Sequence, residues 1–142
     1  DLGISLRYFN VYGPGEEHKG EMASVFYRSF VKAQEYKSIV LFPGSPKRDF
    51  VYINDILNAN IAAFENYDAN RGGIFDVGTS NPRTFEEGLD LMKINYVIGD
   101  QSMIPYGYQT FTSADSNKWI PGWKPNYQIE DGIKEYLKYL SY

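Results

Sequence analysis

The chain has 142 residues, with 14 Lys and Arg against 18 Asp and Glu and a formal net charge of -4. That length fits one domain, and 43% hydrophobic content with 17% aromatic residues is ample for a core. The acidic balance argues against a nucleic-acid or anionic-membrane binder, since either needs a basic face. No apolar run approaches the roughly 20 residues of a membrane span, and no charged-then-apolar leader is present. With no cysteine, disulfides and thiolate zinc sites are excluded, which suits a cytoplasmic location, and the single histidine, His18, rules out a His-rich metal site.

The first stretch, "GISLRYFNVYG", mixes Ile4, Leu6, Tyr8 and Val11 with other apolar residues almost without polar alternation. This is the pattern of a strand buried on both faces of a parallel sheet. Such a strand needs neighbours, and the rest of the sequence offers too few strands for a full doubly wound sheet. No G-x-G-x-x-G loop occurs either, so the expectation is that the N-terminal part of a larger protein is absent.

After the turn at Tyr12 to Gly15, helical spacing runs from about 21 to 34 through Met22, Val25, Phe26, Ser29 and Phe30. A short strand over 39–42, a Pro/Gly loop over 43–47 and an extended piece over 49–52 follow. Asn54 or Asp55 can then cap a helix whose apolar face is Ile56, Ala59, Ala63, Phe64 and Tyr67. "IFDVG" reads as another short buried strand, and the Thr84 to Glu87 spacing of a capping box starts the next helix. "NYVIG" predicts a short strand, residues 113–119 a short helix or turn, and Ile129, Ile133, Tyr136, Leu137 and Leu140 a closing amphipathic helix. The whole is mixed α/β.

Lys19 follows a Gly/Pro loop at the carboxyl end of the first strand, where α/β folds bind ligands. It reads either as an acid/base group or as an ordinary exposed loop lysine. Asn10 and Tyr12 can hold a hydroxyl or serve turn chemistry. Arg48, beside Lys47, suits a fork-like grip on a phosphate, or equally a structural ion pair with Asp49 or Asp55. Phe42, Pro43, Gly44 and Ser45 form a loop able to hold a planar base or simply to connect strands. Tyr106 and Tyr108 flank a glycine and can stack on a ligand or pack. The pairs Glu16-Glu17 and Glu86-Glu87 read as solvated faces or helix N-terminal charges.

In order and spacing, "RYFNVYGP", "HKG", "MAS", "KRDFVYINDI", "GIFDVGT" and "YQTFTSAD" resemble the C-terminal half of the ADP-L-glycero-D-manno-heptose 6-epimerases. These are extended short-chain dehydrogenases/reductases of lipopolysaccharide core synthesis. The first and fourth motifs are shared widely by extended sugar-nucleotide epimerases and dehydratases; "EHKGEMAS" and "YQTFTSAD" are narrower. The resemblance implies the end of a Rossmann sheet (about 1–12 and 49–78) interleaved with a small substrate-binding domain. NADP is the implied cofactor, an ADP-heptose the substrate, and a cytoplasmic homo-oligomer the form. The implied reaction inverts a secondary alcohol carbon through transient oxidation to a ketone, with a tyrosine of a Tyr-x-x-x-Lys motif and the lysine of His-Lys-Gly as acid/base groups.

By that match Lys19 is the second acid/base group and lies beside the cofactor. Val11 meets the nicotinamide side, Asn10 touches the sugar, residues 42–45 line the nucleotide site, Arg48 grips the diphosphate and Tyr108 binds substrate. Glu21 and Arg28 stand at substrate-contacting positions where the family pattern has serine and histidine. The loop from Ile104 to Tyr108 is shorter than the family's. No Tyr-x-x-x-Lys occurs in the chain, so the polypeptide alone is expected to be inactive. The alternatives are another extended nucleotide-hexose epimerase or dehydratase, and a non-catalytic sugar-nucleotide-binding module.

Overall fold

The first extended stretch changes partner halfway along. In the computed structural model, which describes residues 2–141, β1 (Ser5–Tyr8) pairs in parallel with β6 (Ile74–Val77). At Phe9 the chain donates to the Val77 carbonyl at 3.1 Å, and at Asn10 to the Asp49 carbonyl at 2.9 Å. From there β2 (Asn10–Tyr12) runs parallel to β5 (Phe50–Tyr52). Where β1 hands over to β2, between these two parallel pairs, a crevice opens in which side chains from several segments converge.

Both-face burial belongs to β5 rather than to the first strand. Phe50, Val51 and Tyr52 are all buried, whereas Ser5, Arg7 and Tyr8 are exposed. The reason lies in what each strand has over it. Phe50 and Tyr52 point into a core built with Tyr12, Phe26, Leu41, Leu89, Met92, Ile129, Ile133 and Tyr136. Val51 points the other way, into a second core with Ile56, Ala59, Ala63, Val77, Ile120 and Trp123. β1 has helix packing on one face only, through Leu6.

The second core seats α2 (Ile53–Glu65) on the β5 and β6 strands. Its buried stripe is Ile56, Ala59 and Ala63, as the spacing predicts, but Phe64 is 83% exposed and Tyr67 lies in the next short helix, α3 (Tyr67–Asn70), also exposed. Nor do Asn54 and Asp55 cap α2. The helix starts at Ile53, and buried Asp55 turns its carboxylate to the amides of Asn126 and Tyr127 at 2.9 and 3.0 Å. Burial pushes this carboxyl up, and the two amides oppose that shift.

The first core gathers α1 (Val25–Glu35), α4 (Phe85–Met92) and α5 (Ile129–Leu140). α1 begins at Ser24, whose hydroxyl accepts from the Tyr27 amide at 3.2 Å, so Met22 falls outside the helix and is exposed. Thr84 and Glu87 form the capping box in both directions: the Glu87 amide donates to the Thr84 hydroxyl at 3.1 Å and the Thr84 amide to Glu87 at 2.7 Å. β3 (Ile39–Leu41) pairs in parallel with β8 (Tyr96–Ile98), and β4 (Lys47–Arg48) pairs antiparallel with β7 (Arg83–Thr84). No helix among the described residues is long and apolar enough to cross a membrane.

Candidate active site

β2 ends in a tight turn. Gly13 has φ 140°, and a Cβ there would lie 2.5 Å from Cγ2 of Ile53, so a side chain is excluded by both conformation and space. Beyond the turn a 3₁₀ segment, Glu17–Met22, carries Lys19 back to Asn10 and Val11 of β2 and Phe50 of β5. Between this segment, the strand ends and α1 lies a cavity of about 420 Å³. Asn10, Val11, Lys19, Arg28, Arg48 and Tyr108 all line it.

Three cationic side chains face this space, and their surroundings differ. Lys19 sits on the exposed side and pairs with no carboxylate among the described residues. Arg48 is only 7% exposed, yet it pairs with neither Asp49 nor Asp55. Its guanidinium donates to the backbone carbonyls of Lys47, at 3.0 Å, and Gln109, and it stacks 5.1 Å from the Tyr108 ring and 5.8 Å from the Phe85 ring. An arginine held by carbonyls and rings keeps its whole positive charge for an anion. Arg28 makes a 3.3 Å contact with exposed Glu21, and its Nε is buried without a hydrogen-bond partner.

A neighbouring cavity of about 380 Å³ shares Val25, Arg28, Phe85 and Tyr108 with the first and extends to Ile39, Leu41, Phe42 and Met103. Phe42 and Tyr108 meet edge to face at 5.2 Å. Of the expected base-binding loop, only Phe42 lines this cavity. Pro43 and Gly44 lie beyond it, and Ser45, at φ 45°, donates to Glu86 at 2.9 Å. Glu21 lies on the outer face of the 3₁₀ segment, away from both cavities, and Tyr106 is fully exposed. A larger groove of about 610 Å³ runs between α4 and α5. Leu91, Ile133 and Leu137 share its lining with Glu130, Lys134, Lys138 and Ser141, and none of the site residues expected from the sequence reaches it.

Residues 3–78 match the model of the NAD dependent epimerase/dehydratase family. The chain belongs to that family. It is 37% identical to an ADP-L-glycero-D-manno-heptose-6-epimerase of Brachyspira hyodysenteriae, over 97% of this chain and 46% of that protein. The crystal structure of the Helicobacter pylori ADP-L-glycero-D-manno-heptose-6-epimerase superposes with a TM-score of 0.81 at 29% identity, covering 99% of this chain and 45% of that one. The UDP-glucose 4-epimerase of Thermotoga maritima gives a TM-score of 0.80 at 27% identity, over 97% of this chain and 45% of that one. The chain thus spans about half the length of the epimerases it matches. Its architecture is the C-terminal portion of an extended short-chain dehydrogenase/reductase.

Two buried carboxylates at or beside this cavity do not stand out in the sequence. Glu16 is 2% exposed, not solvated, and lines the cavity floor. Asp49 is fully buried and accepts from the Thr79 amide and hydroxyl, the Ser80 amide and the Ala114 amide at 2.6 to 2.9 Å. Asp49 thereby fastens "TSAD" against the ends of β5 and β6. Thr112 of the same stretch accepts from the Asp49 amide at 3.2 Å and donates to Asn10 at 3.3 Å. Glu16 stands beside a motif and Asp49 within one, but neither placement separates a buried hub from a surface charge.

Proposed function

We propose that this chain is the substrate-binding half of an NADP-dependent sugar-nucleotide 6-epimerase acting on ADP-D-glycero-D-manno-heptose, in lipopolysaccharide core synthesis. The observation that carries the reading is the single cavity lined by Asn10, Val11, Lys19, Arg28, Arg48 and Tyr108, where the chain passes from β1 into β2 beside Phe50 of β5. The heptose-epimerase similarity at 37% identity supports the choice of substrate. In this reading residues of about 1–12 and 49–78 belong to the dinucleotide-binding layer and the rest to the substrate domain.

Arg48 takes the diphosphate, because its guanidinium is fixed by two carbonyls and has no carboxylate partner among the described residues. The adjoining cavity takes the base against Phe42 and Tyr108. Asn10 holds a sugar hydroxyl, and Arg28 lies where the two cavities meet. The half-buried side chain of Val11, next to Phe9, offers an uncharged surface suited to the nicotinamide end of a dinucleotide. When bound, that cofactor accepts and returns hydride. Lys19 moves the proton at the sugar's alcohol oxygen on one face of the reacting carbon. A cytoplasmic homo-oligomer goes with this reading.

A nucleotide-hexose epimerase is the second reading, and the Thermotoga maritima likeness supports it at nearly the same TM-score. The test is turnover by the full-length protein with NADP, followed by NMR of the sugar carbons. Inversion in ADP-D-glycero-D-manno-heptose, with UDP-glucose untouched, is expected. Turnover of UDP-glucose alone would move the assignment to a hexose, and binding of either nucleotide without turnover would make this a binding module.

A further inference from the structure

Residues 17–22, which carry Lys19, bury no side chain. The backbone leaves the helical region at Gly20 (φ 52°, ψ -125°), and so short a 3₁₀ stretch has little order of its own. Yet both ends of the loop run into one buried carboxylate. Oε1 of Glu16 accepts from the Gly13 amide at 3.1 Å, the Ser24 hydroxyl at 2.8 Å and the Tyr136 hydroxyl at 3.2 Å. Its Oε2 accepts from the Ser24 amide at 2.5 Å. Gly13 precedes the Lys19 segment, Ser24 follows it and caps α1, and Tyr136 comes from α5. A second tie to α5 runs outside, where the Tyr139 hydroxyl donates to Glu17 at 2.5 Å.

We propose that Glu16 is the positioning residue for Lys19: held by Tyr136 of α5, it pins the two ends of the Gly13 to Ser24 loop and so sets where the Lys19 amine stands in the cavity. The proposal rests on the reading of Lys19 as an acid/base group. Four donors on two oxygens require a group that only accepts, so glutamine fails at this position despite its shape, because its NH₂ would face another donor. Buried amides left unpaired would release the loop. A displacement of the amine by an ångström would then slow proton transfer while leaving the phosphate and base contacts on the other walls in place.

The experiment compares Glu16→Gln, Tyr136→Phe and Lys19→Met in the full-length protein, by hydrogen exchange of residues 17–24 and by kcat and KM for the sugar nucleotide. In Glu16→Gln, exchange in 17–24 accelerates roughly tenfold while amides inside α4 keep their protection. The kcat falls by about tenfold to a hundredfold, and KM stays within about twofold. Tyr136→Phe removes one donor and moves both readouts the same way by less. Unchanged exchange in 17–24, or faster exchange with kcat intact, or a loss confined to KM, overturns the proposal. Should Glu16→Gln fail to fold, Tyr136→Phe carries the same comparison. Full activity in Lys19→Met would instead remove the reading beneath it, while the exchange data would still report whether Glu16 anchors the loop.

Discussion

The two long walls of the cavity are built in opposite ways. On one side Arg48 and Asp49 are buried at the junction of β4 and β5, tied to strands and to the 109–115 stretch by carbonyls and amides. On the other side Lys19 rides an exposed 3₁₀ segment that buries no side chain, and it is tied through Glu16 at both ends and through surface contacts of Glu17 and Glu21. The contrast fits the tasks proposed for the two walls. In the proposed reading the buried charge holds the diphosphate, and the amine that exchanges a proton owes its place to the ties at the ends of its loop.

The largest effect expected from this contrast is on chemistry without stability. Lys19→Met in the full-length protein lowers kcat by roughly a hundredfold to ten-thousandfold, and urea unfolding shifts by no more than about 0.5 kcal/mol, because the side chain lost is exposed and pairs with no carboxylate among the described residues. Equal damage to both would erase the difference between the walls. Asp49→Ala should do the reverse. It strands four buried donors and costs at least about 3 kcal/mol in the same unfolding measurement.

Arg48→Lys keeps the charge but loses the planar fork and its ring contacts, so sugar-nucleotide affinity falls about tenfold by calorimetry. Unaltered affinity would mean that the buried wall does not hold the diphosphate. Gly132→Ala probes the seat of α5, because a Cβ there would lie 2.0 Å from the Tyr12 hydroxyl. The strain of displacing that ring, partly offset by the better helix propensity of alanine, leaves a net loss of about 1 kcal/mol, read as a lower midpoint in urea.

The smallest effect concerns pH. The Thr84 amide, and then Arg83, hold the Glu87 carboxyl below the usual value near 4.5, and the Arg83 hydrogen bond does the same for Glu130. Depressed folded values mean that this stabilisation is complete above pH 4.5 and disappears as the pH falls through the lower folded values. Both side chains are over 40% exposed, so screening keeps the contribution small. Thermal melts of the chain and of Arg83→Gln between pH 7 and pH 3 should differ slightly at the top of that range and converge at the bottom. A constant gap would exclude the ion pairs as its source.

What could be read from the sequence was whatever is local. The Thr84–Glu87 box and the α5 stripe follow from spacing, whereas the grouping of Asn10, Lys19, Arg48 and Tyr108 comes from the family resemblance, and the structure brings those four side chains to one cavity. Glu16 and Asp49 were not legible, because what defines each is a set of donors far away in the chain. Tyr136 stands 120 residues from Glu16, and Ala114 stands 65 from Asp49. The same limit misplaced the two-sided strand, since burial of β5 depends on helices that arrive later, and it misplaced Asp55, whose partners are amides beyond residue 125. Arg28 and Glu21 show a further case: their mutual contact is a helix-entry geometry that neither residue type announces.

The most direct measurement is hydrogen exchange of the full-length protein with and without ADP-D-glycero-D-manno-heptose in the presence of NADP. New protection is expected in the segments holding Asn10, Lys19, Arg28, Arg48 and Tyr108, with the α4–α5 groove unchanged. Protection in that groove around Leu91, Ile133 and Leu137, with those five segments unaffected, would contradict the assignment of the site.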